Sequence, residues 1–118
     1  MKDNRIEAFV ALAPALGQGF MSEKLFLNVE KPILIIGASK DNRAPVATNA
    51  GHYHKMIPIS KYVELNGEVG HYIFMNEAKS GLKRAAPIIF KDGETISRKE
   101  IHIEVSDLIQ TFLTENLN

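Results

Sequence analysis

The sequence predicts an α/β fold, a short parallel sheet of about three strands with helices on both faces in a three-layer arrangement. Three observations carry this expectation. Three short runs of apolar, largely branched residues are each bounded by glycine or proline, as strands are. A segment of helical periodicity joins the second run to the third, giving the strand–helix–strand order of a parallel crossover. The end of the chain then carries a long one-sided apolar stripe behind a helix-capping signal.

The first strand is expected over residues 6–13 (Ile-Glu-Ala-Phe-Val-Ala-Leu-Ala), stopped by Pro14, and a short helix over 21–28. The second strand, 33–37, follows Lys31-Pro32. Its unbroken apolar run is that of a parallel strand covered on both faces. Residues 44–57 read as a helix, with Val46, Ala47, Ala50, Tyr53 and Ile57 at helical spacing, Pro45 in the first turn and Pro58 beyond the end. The third strand, 61–65, is closed by Asn66-Gly67. Residues 66–96 are mixed, with a helix expected near 78–90 broken at Pro87 and a turn at Lys91-Asp92-Gly93-Glu94. Ser97-Arg98-Lys99-Glu100 has the form of a capping box. Behind it Ile101, Val105, Leu108, Ile109, Phe112 and Leu113 fall on one helical stripe, which must pack on something, most simply the sheet.

Composition narrows the function. The chain of 118 residues is 45% apolar and 24% charged, the proportions of a single globular domain over 1–118 rather than of a disordered tail. Lys+Arg and Asp+Glu are both 14, which argues against nucleic acid as a partner, and Lys83-Arg84 and Arg98-Lys99 are too small and too balanced for a basic patch. The absence of cysteine excludes disulfides, thiolate metal sites and a cysteine nucleophile. No apolar run approaches the roughly 18 residues of a membrane span, and Met1-Lys2-Asp3-Asn4-Arg5 does not open a signal peptide, so the expected location is cytoplasmic. No glycine-rich phosphate loop appears, and no cofactor is expected. His52-x-His54 sits two residues apart on a helix, where side chains diverge, so no metal site is expected there.

Two residues stand out by position. Asp41 follows the second strand and His71 follows the third, and in an open parallel sheet catalytic groups gather at the carboxyl ends of strands. If those strands are neighbours, the two side chains can meet. A carboxylate accepting from imidazole Nδ1 fixes the tautomer and stabilises the imidazolium formed in catalysis. The alternative is a turn aspartate and an exposed loop histidine. Tyr72, Phe74 and Met75 beside His71 suit a pocket wall or core packing equally.

Ala11-Leu12-Ala13-Pro14, the run from Lys31 through Ile33-Leu34-Ile35-Ile36-Gly37-Ala38-Ser39-Lys40-Asp41 to Ala44-Pro45, and Gly70-His71 together resemble the C-terminal part of an α/β-hydrolase, most closely the dienelactone-hydrolase-like members. The resemblance covers nearly the whole chain. It implies that the three strands correspond to the last three of that fold, with Asp41 as triad acid and His71 as triad base. The departure is equally clear. The sequence contains no Gly-x-Ser-x-Gly turn, which in such enzymes precedes the acid and the histidine and also supplies an oxyanion-hole N–H. Ser39 is no substitute, since it lies on the acid's own loop and its context lacks the second glycine.

The expected function is therefore that of a C-terminal portion of a serine hydrolase acting on ester-like carboxylic bonds, truncated or split and inactive alone. The alternative is a non-catalytic interaction module. The expected partner is a second copy or a complementary N-terminal half, because in the resembled fold the first strand pairs with an upstream strand missing here, which leaves an unpaired apolar edge guarded only by Glu7.

Overall fold

The computed structural model describes residues 3–117. Its centre is a three-stranded, fully parallel sheet in the order β1 (Phe9–Leu12), β2 (Ile33–Ala38), β3 (Lys61–Leu65). Phe9 stands opposite Ile33 in the first pair, and Leu34 opposite Lys61 in the second. β2 is central and buried along nearly its whole length, as its unbroken apolar run predicts. The helices are α1 (Ala50–Met56), α2 (Ser80–Ala85), α3 (Pro87–Phe90) and α4 (Arg98–Asn116), with short 3-10 turns at Gly17–Gly19, Glu23–Phe26, Val46–Thr48 and His71–Phe74. Among the described residues no helix is long and apolar enough to cross a membrane.

Alternation along β2 divides the core between two layers. Leu34, Ile36 and Ala38 join Leu65, Val69, Ile73 and the α4 residues Val105 and Phe112 in one buried cluster. On the other face α1 packs against β2 and β3. Gly37 makes that approach possible, since a Cβ there would stand 2.8 Å from Val46 Cγ1 and 3.1 Å from Ala50 Cβ.

The α4 stripe is as expected: Val105 and Phe112 are buried, and Ile101, Leu108, Ile109 and Leu113 pack half-buried around them. Ser97 Oγ accepts from Glu100 N at 3.3 Å and caps the helix. Because Leu108 retains partial exposure, Leu108→Ala is expected to destabilise by about 2 kcal/mol, the lower end for core leucines; an unmoved denaturation midpoint would exclude packing of this stripe against the core.

Three elements are shorter than the sequence predicts. β1 starts at Phe9 rather than residue 6, because Pro32 opposite has no N–H with which to extend the ladder. It ends at Leu12 because Ala13 adopts a left-handed φ of 44°. The helix expected over 44–57 begins only at Ala50. Asn49 lies outside helical geometry (φ −131°, ψ −96°), and its side chain donates to Pro45 O and accepts from Gly17 N, which favours a turn over a continuous helix. Residues 21–28 form a single 3-10 turn, Glu23–Phe26, capped by Ser22. Pro87 divides the 78–90 segment as expected and becomes the first residue of α3. The turn expected at 91–94 lies two residues later, where Ile96 N donates to Gly93 O at 3.0 Å.

Tyr62 is the most perturbed phenol. Burial raises its pKa from the ordinary 10.0, and the hydrogen bond to Glu64 Oε2 (2.8 Å) and the charge of that carboxylate raise it further. The folded state thus holds this proton more tightly than the unfolded chain does. Its stabilisation is fully present below the ordinary phenol value and is lost as pH rises above it through the folded value. Stability is expected to fall from about pH 10 upward, less steeply in Tyr62→Phe, as read from denaturation midpoints across alkaline pH.

Candidate acid–base site

The residues after β2 are tied to the end of β3 by backbone bonds, Ser39 N to Leu65 O (3.0 Å) and Lys40 N to Val69 O (2.9 Å). These bonds bring the two strand-end loops together. Asp41, whose own N–H donates to Ala38 O at 3.0 Å, turns its carboxylate inward, and only 1% of that side chain is exposed. Oδ1 accepts from the N–H groups of Arg43 (2.8 Å) and Ala44 (2.7 Å), and Oδ2 accepts from His71 Nδ1 at 2.7 Å. The two residues singled out in the sequence therefore meet across a 30-residue separation.

The geometry dictates a tautomer. With the carboxylate accepting at Oδ2, the proton of a neutral His71 sits on Nδ1, and Nε2 is left with a lone pair able to take a proton. No hydrogen bond from the described residues reaches Nε2. The imidazole is 25% exposed, accessible while its partner is sealed. A cavity of about 290 Å³ lies beside it, lined by Lys40, Asn42, Arg43, Gly70, His71 and Tyr72 among others, close to the lower limit for small-molecule pockets. Phe74 and Met75 diverge from it: Phe74 packs against the core and Met75 is about half exposed.

His71 opens a 3-10 turn, His71–Phe74, which no pattern in the sequence announces. α4 holds this turn from beneath. His102 Nε2 donates to Ile73 O at 2.7 Å, and Arg98 Nη1 donates to Met75 O (3.1 Å) and Asn76 O (3.3 Å). Arg98 is buried, not a surface charge as Arg98-Lys99 suggests, and it pairs with Asp92 at 2.7 Å while donating to Ile89 O at 2.8 Å. The sequence offers no signal for this clamp, because an arginine at the first helical position is ordinarily solvated.

Ser39 Oγ donates to Gly67 O at 2.7 Å and so fastens the two loops. The histidine pair on α1 separates, as spacing predicts. His52 bonds Phe20 O at 2.8 Å, whereas His54 bonds Ser60 Oγ at 2.8 Å and stacks on Tyr62. Among the described residues no group of three or more His, Asp or Glu side chains is placed to hold a metal ion.

No protein-family model, no curated protein and no solved structure matches this chain.

Proposed function

We propose that this chain provides the acid and the base of a serine-hydrolase-type site for ester-like carboxylic bonds, and that it corresponds to the C-terminal part of an α/β-hydrolase fold. The single observation that carries this reading is the Asp41–His71 bond at the carboxyl ends of adjacent parallel strands, with the carboxylate held by two backbone N–H groups. A structural aspartate needs only the two turn bonds. Sealing its second oxygen against an otherwise uncommitted imidazole is what a general base requires.

In this reading His71 Nε2 takes the proton of a serine hydroxyl as it attacks the carbonyl, then returns it to the leaving oxygen, while Asp41 orients the ring and offsets its transient charge. The serine and the oxyanion donors belong to a complementary N-terminal portion, because this sequence holds no Gly-x-Ser-x-Gly turn. The test uses a fluorophosphonate probe for activated serines. The chain alone is expected to remain unlabelled. Mixed with an N-terminal α/β-hydrolase portion ending in a Gly-x-Ser-x-Gly turn and its helix, it should promote labelling of that serine, and His71→Ala should abolish the gain. A stable complex without labelling would refute the proposal. A second reading, an interaction module, is favoured by the exposed apolar edge of β1.

A further inference from the structure

The edge strand β1 takes no part in the acid–base site. Phe9 N–H donates to Pro32 O (2.9 Å) and Ala13 N–H to Ile36 O (2.8 Å). In a parallel ladder alternate residues turn both backbone groups to the same neighbour, so the N–H and C=O groups of Val10 and Leu12 point away from β2. Apolar surface flanks this open edge on both faces of the sheet. Phe9 and Ala11 border a cavity of about 330 Å³ shared with Phe26, Ile35, Tyr53 and Ile57. Leu12 borders a groove against Val105, Ile109 and Leu113 of α4.

The molecule as a whole is under-covered. Its exposed surface is 8114 Å², against roughly 6,400 Å² for a folded monomer of this mass. Its radius of gyration is 15.5 Å, against about 13.5 Å for a compact chain of this length. The surplus, roughly 1,700 Å², is about twice what one partner contributes to a standard stable interface. Much of the apolar share lies in one segment: Ile6, Phe9, Leu12, Leu16, Phe20, Met21, Leu25 and Leu27 all remain exposed, on β1 and the chain to either side of it.

We infer that this edge is an interface with a second copy of the chain, β1 pairing antiparallel with its symmetry mate to join two three-stranded sheets into one. β1 is itself the strand such an edge accepts, apolar on both faces with outward backbone groups unpaired. A two-fold axis at Val10 sets Val10 against itself and Ala8 against Leu12 of the other copy. The only charged residue between Ile6 and Leu12, Glu7, then lies about 20 Å along the strands from its mate, beyond the screening length of about 8 Å at physiological salt. The opposite edge is guarded, with Lys61 and Glu64 on β3 and Lys61 paired to Glu115 at 3.1 Å. The pairing sends the two Asp41–His71 sites to opposite ends of the joined sheet and occupies the edge of β1 that a complementary N-terminal portion would join. For the isolated chain the edge is therefore taken by its own copy, and the dimer and the reconstituted site exclude one another.

Sedimentation from about 1 to 100 µM is expected to show a reversible dimer. Val10→Pro removes an outward N–H together with part of Val10's packing against the core, and should weaken the dimer about tenfold or more with an unchanged circular dichroism spectrum. Since the chain has no cysteine, Val10→Cys gives an independent reading that does not require the proline variant to fold. Cα atoms opposed across a hydrogen-bonded pair lie about 5.5 Å apart, within disulfide reach, so mild oxidation should cross-link Val10→Cys and leave Lys55→Cys on α1 uncoupled. A monomer throughout the range, a dimer indifferent to Val10→Pro with no Val10→Cys cross-link, or open-ended assembly would each overturn the inference.

Discussion

Arg98→Ala is expected to destabilise the fold by about 3–5 kcal/mol, the cost of removing one partner from a buried ion pair. The guanidinium side chain is 4% exposed, and its donors are all directed inward: Nε and Nη2 to the two carboxylate oxygens of Asp92, Nη1 to Met75 O and Asn76 O, Nη2 also to Ile89 O. Alanine would strand a largely buried carboxylate and leave three carbonyls without their donor, and each such loss carries its own desolvation cost. Lysine keeps the charge but lacks the planar fork, so Arg98→Lys should recover only part of the loss. Asp92→Asn leaves the buried guanidinium without its counter-charge and turns an amide NH₂ toward one of its N–H donors, so it should also cost several kcal/mol. Urea midpoints at neutral pH decide the matter; an Arg98→Ala midpoint equal to wild type would mean that the clamp adds nothing to stability. The site is linked to the same clamp, because Arg98 and His102 fix the backbone that carries His71.

The sheet was legible in the sequence because β2 is buried along nearly its whole length and its neighbours β1 and β3 are apolar or branched runs paired to it, each bounded by glycine or proline. The capped α4 stripe was legible for the same reason. What the sequence did not carry is whatever depends on a single polar side chain choosing one distant backbone group. Asn49 shortens the expected helix by bonding Gly17 N, 32 residues away, and nothing local separates that asparagine from a solvated one. Arg98 reads as a surface charge until Asp92 and the carbonyls of residues 75, 76 and 89 are folded around it. The meeting of Asp41 and His71 was legible by position, since they follow adjacent parallel strands whose loops come together. The two N–H bonds to Oδ1 that lock the carboxylate depend on the turn through Arg43 and Ala44, which only the fold displays.

Asp41→Asn is expected to have a large effect on activity. In the proposed site, with a serine supplied by a complementary portion, this substitution should lower turnover by roughly 10⁴, with little change in fold. The reason lies in which oxygen does what. The N–H groups of Arg43 and Ala44 both donate to Oδ1, so an asparagine must keep its carbonyl oxygen there. Its NH₂ group then faces His71 Nδ1, which can only accept. The ring proton moves to Nε2, the atom that has to take the proton from serine. The change is visible without turnover: nitrogen-15 spectra of the isolated chain should place the neutral-ring proton of His71 on Nδ1 in the wild type and on Nε2 in the variant. The isolated chain should hydrolyse no unactivated ester in either form. Removing one triad member from a complete enzyme leaves roughly 10³–10⁴-fold catalysis over water through the oxyanion hole and binding, but this sequence has no Gly-x-Ser-x-Gly turn to supply either a nucleophile or an oxyanion-hole N–H. Saturable hydrolysis by the isolated wild type that collapses in Asp41→Asn and His71→Ala would show that a nucleophile resides in this chain. A reconstituted enzyme indifferent to Asp41→Asn would remove the acid from the mechanism and leave the 2.7 Å bond to His71 as a loop fastening.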